Sequence, residues 1–355
     1  MQGADAKWRQ PGEEEELSAK ISTERGRPSR EPAGRVRVGI IGCGGMGGTH
    51  AAAYQSDGRA ELVAFVDVER ARARQLAKKF GGRAYTELAE MLERQRPEAV
   101  SICTPPNSHM EAALAGSKAT AHVLCEKPLA MTAAQARRMT AAAKRSRRLL
   151  LTGFRHRFYG PVVGAKELID SGKLGDILMF RNRFAGLIDM QGRWFGDKKV
   201  SGGGSIIDTS IHSIDLFRFL VGEPSLVAAC HATLGQNIEV EDSSAILLQT
   251  AEGPIGVIEA CWSSPFSDSV IQIYASKGAA FVDYSRGELR HRSGDMKRWR
   301  AARFPEATFQ SEVSHFLDCV LGLASPIVTG EDGLRAMMIA DAAYRSVRRG
   351  TWEAV

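Results

Sequence analysis

The sequence predicts an α/β domain followed by an α+β domain, and three observations carry that expectation. The chain's 355 residues exceed what one hydrophobic core usually serves, and 44% of them are hydrophobic, enough to fill two cores. From Arg35 onward, short β-branched runs alternate with alanine-rich helical stretches, the texture of a parallel sheet covered by helices. Beyond about Gly153 that alternation gives way to strands that follow one another across short turns.

Residues 1–34 are polar, carry the acidic run Glu13 to Glu16 and contain Pro11, Pro28 and Pro32 without an apolar period. They read as a flexible tail outside the fold. Residues 35–153 form the first domain, with strands expected over 36–41, 61–67, 99–103, 121–125 and 149–152. Helices are expected over 46–55, 69–80, 86–94, 108–116 and 132–145, and Thr132 followed by Gln135 reads as a capping box for the last. A doubly wound domain of this kind takes its ligand at the carboxyl ends of the strands. Residues 154–355 form the second domain. It opens with helices over 162–171 and 205–220 and continues with alternating strands from 226 to 291, among them 243–249, 255–260 and 270–275. The short turns between these strands favour an antiparallel or mixed sheet. Helices over 309–322 and 330–349 close the chain, the C-terminal helix being free to pack back on the first domain.

Composition narrows the function. No apolar run approaches the roughly 18 to 20 residues of a membrane span, and the first residues are charged rather than shaped like a signal peptide. A cytoplasmic protein with no membrane partner is expected. Cys43, Cys103, Cys125, Cys230, Cys261 and Cys319 stand singly, without Cys-x-x-Cys or paired histidines, so neither a metal site nor a disulfide framework is indicated. The net charge of +6 includes arginine clusters at Arg137-Arg138, at 145–148 and at 345–349. These sit at helical spacing among alanines and read as solvated faces, with no nucleic-acid partner. Their field would still attract an anionic cofactor or substrate.

The segment Gly42-Cys43-Gly44-Gly45-Met46-Gly47 fits Gly-x-Gly-x-x-Gly. Gly42 allows the tight turn, Gly44 lets backbone approach a pyrophosphate, and Gly47 permits close helix packing. The turn follows the strong strand Val38-Gly39-Ile40-Ile41 and opens a helix whose amides and dipole would face phosphates. Asp67 ends the next long strand about 20 residues later, where a carboxylate accepts hydrogen bonds from an adenosine ribose. A dinucleotide is therefore expected on Gly42, Gly44, Met46, Gly47 and Asp67. Asp67 would repel a 2′-phosphate, which favours NAD over NADP, while Arg70, Arg72 and Arg74 pull the other way.

With these motifs in hand, the sequence resembles the Gfo/Idh/MocA oxidoreductase family, named for glucose-fructose oxidoreductase and inositol dehydrogenase. The resemblance runs from about Arg35 to the C-terminus. Beyond the glycine turn it rests on Thr104-Pro105-Pro106-Asn107-Ser108-His109, Cys125-Glu126-Lys127-Pro128-Leu129 and Gly153-Phe154-Arg155-His156-Arg157-Phe158, and on the segment from Gly203 to Asp215. It implies a Rossmann domain joined to a C-terminal domain with an open-faced, largely antiparallel sheet that often makes oligomer contacts, so a homodimer or homotetramer is expected. It also implies that the loop carrying Thr104, Pro105, Asn107 and His109 passes the nicotinamide half of the cofactor. Glu126 and Lys127 would lie beside the same group, with Lys127 between cofactor and substrate. The Lys127-Pro128 bond is cis in many relatives.

Asp208 and His212 stand four residues apart on an expected helix, so their side chains project from one face, one turn apart. A histidine is suited to take or return a proton, and a neighbouring carboxylate would orient its ring and favour the protonated form. Spacing alone is also met by an ordinary helix solvated by its polar residues; the resemblance assigns this helix to the active site. Asp215 either contacts His212 or faces solvent. Arg155 and Arg157 either bind substrate hydroxyls, a carboxylate or a phosphate, or make interdomain ion pairs. Trp194 either stacks on a sugar face or packs as a lid.

The resulting expectation is an NAD-dependent dehydrogenase or reductase acting on a sugar, inositol, sugar acid or related polyol. Lys127, Asp208 and His212 are its catalytic group, with either His212 or Lys127 as proton acceptor. The family also contains glycosidases that use NAD in a redox-assisted elimination, and ligand-sensing regulators without turnover. Lys127, Asp208 and His212 together count against a regulator.

Overall fold

A computed structural model describes residues 34–294 and 296–355. The tail expected over 1–34 lies outside the described residues apart from Gly34. The first domain is a six-stranded parallel sheet of order β3-β2-β1-β4-β5-β6. Its strands are β1 (Val36–Ile41), β2 (Ala60–Val66), β3 (Arg83–Tyr85), β4 (Ala99–Ile102), β5 (His122–Cys125) and β6 (Leu150–Thr152). The crossovers are α1 (Gly45–Asp57), α2 (Arg70–Phe80), α3 (Leu88–Gln95), α4 (His109–Lys118) and α5 (Ala133–Ser146). β1 and β4 are buried along nearly their whole length, which is why they read as continuous apolar runs. The strand order reverses between β1 and β4, and the crevice at their carboxyl ends is where a doubly wound sheet holds its ligand.

The short edge strand β3 was not anticipated. The capping box at Thr132 is half formed. Thr132 accepts the Gln135 amide at 3.3 Å, but the Gln135 side chain accepts the amide of Met131, one residue before the cap. Thr329 and Asp332 form a complete box at the start of the last long helix.

The second domain carries α6 (Gly160–Asp170), β7 (Ile177–Leu187), α7 (Ser205–Asp208) and α8 (Ser210–Leu220). The strands β8 (Pro224–Ala232), β9 (Ser243–Thr250), β10 (Ile255–Cys261), β11 (Ser263–Ala275), β12 (Gly278–Asp283), β13 (Glu288–Ser293) and β14 (Arg300–Arg303) follow. The chain ends with α9 (Thr308–Val320), α10 (Gly330–Arg349) and β15 (Glu353–Ala354). Nine strands form one sheet of order β14-β13-β12-β11-β7-β10-β9-β8-β15, antiparallel except where β7 runs beside β10. One face buries Phe180, Ile246, Ile258 and Ile271 in the same core as Ile211, Ile214 and Phe217 of α8. Residues including Leu178, Met179, Leu226, Leu247, Ile255 and Tyr274 remain exposed.

The helix expected over 205–220 is interrupted at Thr209, whose hydroxyl accepts the indole N–H of buried Trp262 at 2.7 Å. β7 runs through a segment to which no element was assigned. α9 packs back on the first domain, where Val313, Phe316 and Leu317 share a core with Val38, Ile40 and Tyr54. The domains are thus tied by a returning helix as well as by the chain connection.

Candidate active site

The glycine turn follows β1, and two of its glycines, Gly42 and Gly47, are required sterically. Gly42 has φ +90°, and a Cβ there would stand 2.8 Å from Cys103 and Thr104 backbone atoms. A Cβ on Gly47 would stand 2.0 Å from the Gly42 carbonyl oxygen, so α1 can approach the turn only with glycine at that position. A Cβ on Gly44 would meet nothing within 4 Å, and no side chain caps α1, which leaves open space at an uncapped helix N-terminus. That is the environment a pyrophosphate requires. Asp67 follows β2 and is fixed by two backbone N–H donors, Cys43 to Oδ2 at 2.7 Å and Glu69 to Oδ1 at 2.8 Å. Its carboxylate retains acceptor capacity beyond these two bonds for ribose hydroxyls. The residues present therefore fit a dinucleotide. Arg70, Arg72 and Arg74, which had pulled toward NADP, are exposed on α2.

A cavity of about 540 Å³ opens between the domains. Met46, Thr104, Glu126 and Lys127 reach it from the first domain, and Arg155, Trp194, Asp208 and His212 from the second. The Lys127-Pro128 peptide bond is cis, in agreement with the family pattern. Lys127 donates from Nζ to Asp208 Oδ1 at 2.8 Å and to the Asp208 carbonyl oxygen at 3.0 Å, an ion pair that bridges the domains. Asp208 is thereby engaged by the lysine, and the expected carboxylate–imidazole pairing is replaced by a lysine–carboxylate one. The interruption at Thr209 separates Asp208 from the regular turn of α8 that carries His212.

His212 is buried, its Nδ1 has no hydrogen-bond partner among the described residues, and its ring lies edge-on to His156 at 4.4 Å between centroids. Burial, followed by His156, Lys127 and Arg155, pushes its imidazole well below the ordinary histidine range. The expectation that a carboxylate favours the protonated ring is thus reversed. Burial in company with cations keeps it neutral and ready to accept a proton. His156 is held neutral in the same way, first by burial and then by Arg155 and Lys127.

Glu126 supports Lys127 from behind. Its Oε2 accepts the Lys127 amide at 3.1 Å, and its Oε1 lies 3.0 Å from His50 Nε2 on α1. Burial opposes charge on His50, but Cys103 and Glu126 outweigh it and raise the imidazole to about 10. His50 is therefore a cation paired with Glu126 at neutral pH, and the helix of the glycine turn is linked to the backbone of the site lysine.

His109 takes a structural position. It is fully buried, with ring nitrogens 2.9 and 2.7 Å from the carbonyl oxygens of Pro128 and Thr104, and so ties the loops after β4 and β5 together. Asn107 is exposed and neither it nor Pro105 reaches the cavity, so of the four loop residues Thr104 alone lines it.

Arg157 and Asp215 leave the site altogether. Arg157 meets Asp215 through two hydrogen bonds, Nε to Oδ2 at 2.9 Å and Nη2 to Oδ1 at 2.5 Å, and reaches Asp332 at 2.9 Å. Asp215 therefore neither contacts His212 nor faces solvent, and Arg157 is an ion-pair residue rather than a substrate ligand. The two arginines part because 155–158 form a 3₁₀ turn, in which positions two apart point to different sides. Asp215→Ala should cost about 3 kcal/mol, the low end for a broken buried pair because Asp332 still meets Arg157. Thermal unfolding measures this, and the folded variant should keep its turnover. Lost turnover at unchanged stability would return the pair to the substrate site.

Phe184 on the central strand β7, Tyr284 in the turn after β12 and Phe309 on α9 also line the cavity, and sequence patterning gives no sign of them. Tyr284 and Phe184 both pack against His156, at 5.2 and 5.5 Å between centroids. Trp194 stacks on Phe195 at 3.6 Å on a turn at the cavity wall. Among the described residues no cluster of His, Cys, Asp and Glu could hold a metal ion.

Residues 36–154 match an oxidoreductase family with an NAD-binding Rossmann fold, GFO/IDH/MocA, and residues 162–281 match the GFO/IDH/MocA C-terminal domain. The chain is 30% identical over 327 residues to myo-inositol 2-dehydrogenase of Thermotoga maritima, covering 88% of this chain and 96% of that one. It is 28% identical to scyllo-inositol 2-dehydrogenase (NAD(+)) of Bacillus subtilis, covering 89% and 95%. A solved levoglucosan dehydrogenase in complex with NADH and levoglucosan superimposes with a TM-score of 0.83 at 25% identity, covering 90% of this chain and 99% of that one.

Proposed function

This chain belongs to the GFO/IDH/MocA family of NAD-binding oxidoreductases, and from that premise we propose that Lys127, Asp208 and His212 interconvert a secondary hydroxyl and a carbonyl on a sugar, inositol, sugar acid or related polyol. The observation that carries this reading is the meeting, in one interdomain cavity, of a lysine cation fixed by a carboxylate and a histidine held neutral. When bound, NAD supplies the hydride acceptor for oxidation and, in its reduced form, the donor for the reverse reaction.

Gly42, Gly44, Gly47 and Asp67 would hold the dinucleotide, and Met46, Thr104 and Glu126 line the cavity at which its nicotinamide would supply the hydride acceptor. His212 takes the proton of the substrate hydroxyl as the carbinol becomes a carbonyl, and returns it in the reduction. Lys127 donates a hydrogen bond to the substrate oxygen and stabilises the negative charge that develops there. Asp208 fixes the lysine through both its carboxylate and its main-chain carbonyl. That engagement favours His212 over Lys127 as proton acceptor. The aromatic walls at Trp194, Phe184 and Tyr284 exclude water and offer flat faces to a sugar ring.

In this reading residues 35–153 are the dinucleotide domain and 154–355 the substrate domain. Exposed apolar residues of the second domain, Leu178, Met179, Leu247 and Tyr274 among them, support assembly into a homodimer or homotetramer. Six free thiols agree with a cytoplasmic setting. Incubation with NAD and a panel of inositols, aldoses and glycosides tests the activity. NADH and ketone should appear together from a polyol; cleavage of a glycoside without net NADH would instead assign the redox-assisted glycosidase.

A further inference from the structure

The cavity holds a cation that the chemistry of Lys127 and His212 leaves unused. Arg155 lines it half-buried, with its guanidinium carbon 4.8 Å from the centroid of the Phe309 ring. Among the described residues no carboxylate forms an ion pair with it. The acidic groups nearby are engaged or neutral. Asp208 belongs to Lys127 at 2.8 Å, and Glu126 is shared between His50 and the Lys127 amide. Glu312 on α9 is buried, and neither of its carboxyl oxygens has a hydrogen-bond partner among the described residues. Burial, then Glu126, pushes its carboxyl well above the usual carboxylate range, despite a counter-influence from Arg155. Charges on Lys127 and Asp208 cancel, as do those on His50 and Glu126, and one positive charge remains at the cavity wall.

A half-buried guanidinium beside Phe309, Tyr284 and Phe184, with no carboxylate partner among the described residues, gains a charge-assisted contact when an anion meets it. Placed over the Phe309 ring, the guanidinium keeps a fork of N–H donors that matches the two oxygens of a carboxylate or phosphate. Resting on the polyol reading above, we propose that Arg155 is a specificity-determining residue that selects a sugar or polyol bearing an oxyanion, a carboxylate or a phosphate, over its neutral counterpart.

The test titrates the NADH-loaded protein calorimetrically with D-glucuronate, D-glucose 6-phosphate and D-glucose, and repeats this with Arg155→Gln. At least one of the two anions should bind about 10- to 100-fold more tightly than glucose, the range of a charge-assisted hydrogen-bonded contact. The variant should lose that preference while NADH and glucose affinities stay within about threefold. Which anion is favoured separates carboxylate from phosphate. Neither anion binding more tightly than glucose overturns the proposal. So does a variant that weakens NADH while preserving the anion preference, since the guanidinium would then serve the dinucleotide's phosphates. Turnover of the same probes separates the two claims: anion preference without NADH–ketone conversion defeats the polyol reading alone, whereas glucose oxidised as efficiently as both anions defeats the Arg155 proposal alone.

Discussion

Lys127→Ala is expected to lower kcat about 10²- to 10³-fold, the loss that follows removal of one donor aimed at developing oxyanion charge. NAD(H) affinity, measured by fluorescence titration, should change by no more than about threefold, because the glycine turn and Asp67 lie apart from this contact. The substitution also leaves Asp208 without its cation at 2.8 Å. Asp208→Asn separates the two contributions: it keeps the lysine charge but loosens its position, and a smaller fall in kcat is expected. Lys127→Arg should not restore activity, since a planar guanidinium cannot occupy the ammonium's place between the Asp208 carboxylate and its carbonyl oxygen. Turnover within fivefold of the parent in Lys127→Ala would remove the lysine from the chemistry.

His212→Gln is expected to cost about 10²- to 10⁴-fold in kcat, the usual contribution of a positioned proton acceptor. The parent enzyme's pH profile carries a second, more specific expectation. His212 has its proton affinity depressed by burial and by His156, Lys127 and Arg155, so the proton-free ring persists well below the ordinary histidine value of about 6.5. The acid limb of kcat/KM for oxidation should therefore fall well below pH 6.5 rather than near it. Stability follows the same sign. The unfolded chain takes up protons on His156 and His212 below about pH 6.5 while the folded chain does not, so these residues draw stability down as pH falls through that value. His50 acts in the opposite direction. Its folded value is raised to about 10, so the stability it contributes is full below about pH 6.5 and fades as pH rises toward 10. An acid limb centred on 6.5 that persists in His212→Gln would assign the proton to another group.

Much of the first domain and its cofactor turn was legible because their determinants are local. A buried parallel strand reads as an apolar run, and a glycine needed for φ +90° at Gly42 or for the 2.0 Å approach at Gly47 leaves a mark at fixed spacing. Lys127, Asp208 and His212 were legible through short motifs, and they do meet in one cavity. Their pairing was not. Four-residue spacing suggests that Asp208 serves His212, whereas the helix interruption at Thr209 and the reach of Lys127 across the domain interface give the carboxylate to the lysine. Long-range geometry of that kind has no sequence period.

Other misses have equally physical origins. β7 carries no clear strand pattern in the sequence because Arg181 and Arg183 interrupt its apolar residues. In the fold they project to a side where Glu259 of the adjacent strand receives Arg181 at 2.9 Å, while Phe180 and Asn182 turn inward. Arg155 and Arg157 looked equivalent in sequence, yet the 3₁₀ turn sends one to the cavity and the other to Asp215. Tyr284 and Phe309 come from elements more than 100 residues downstream of Lys127 and carry no motif of their own.

The most direct measurement follows the transferred hydrogen itself. A polyol oxidised by the protein, prepared with deuterium on the reacting carbon and incubated with NAD, should give one ketone for each NADH, with one deuterium on the nicotinamide ring of each. Bound dinucleotide that never acquires deuterium from any polyol would contradict hydride transfer at the site formed by Lys127, Asp208 and His212.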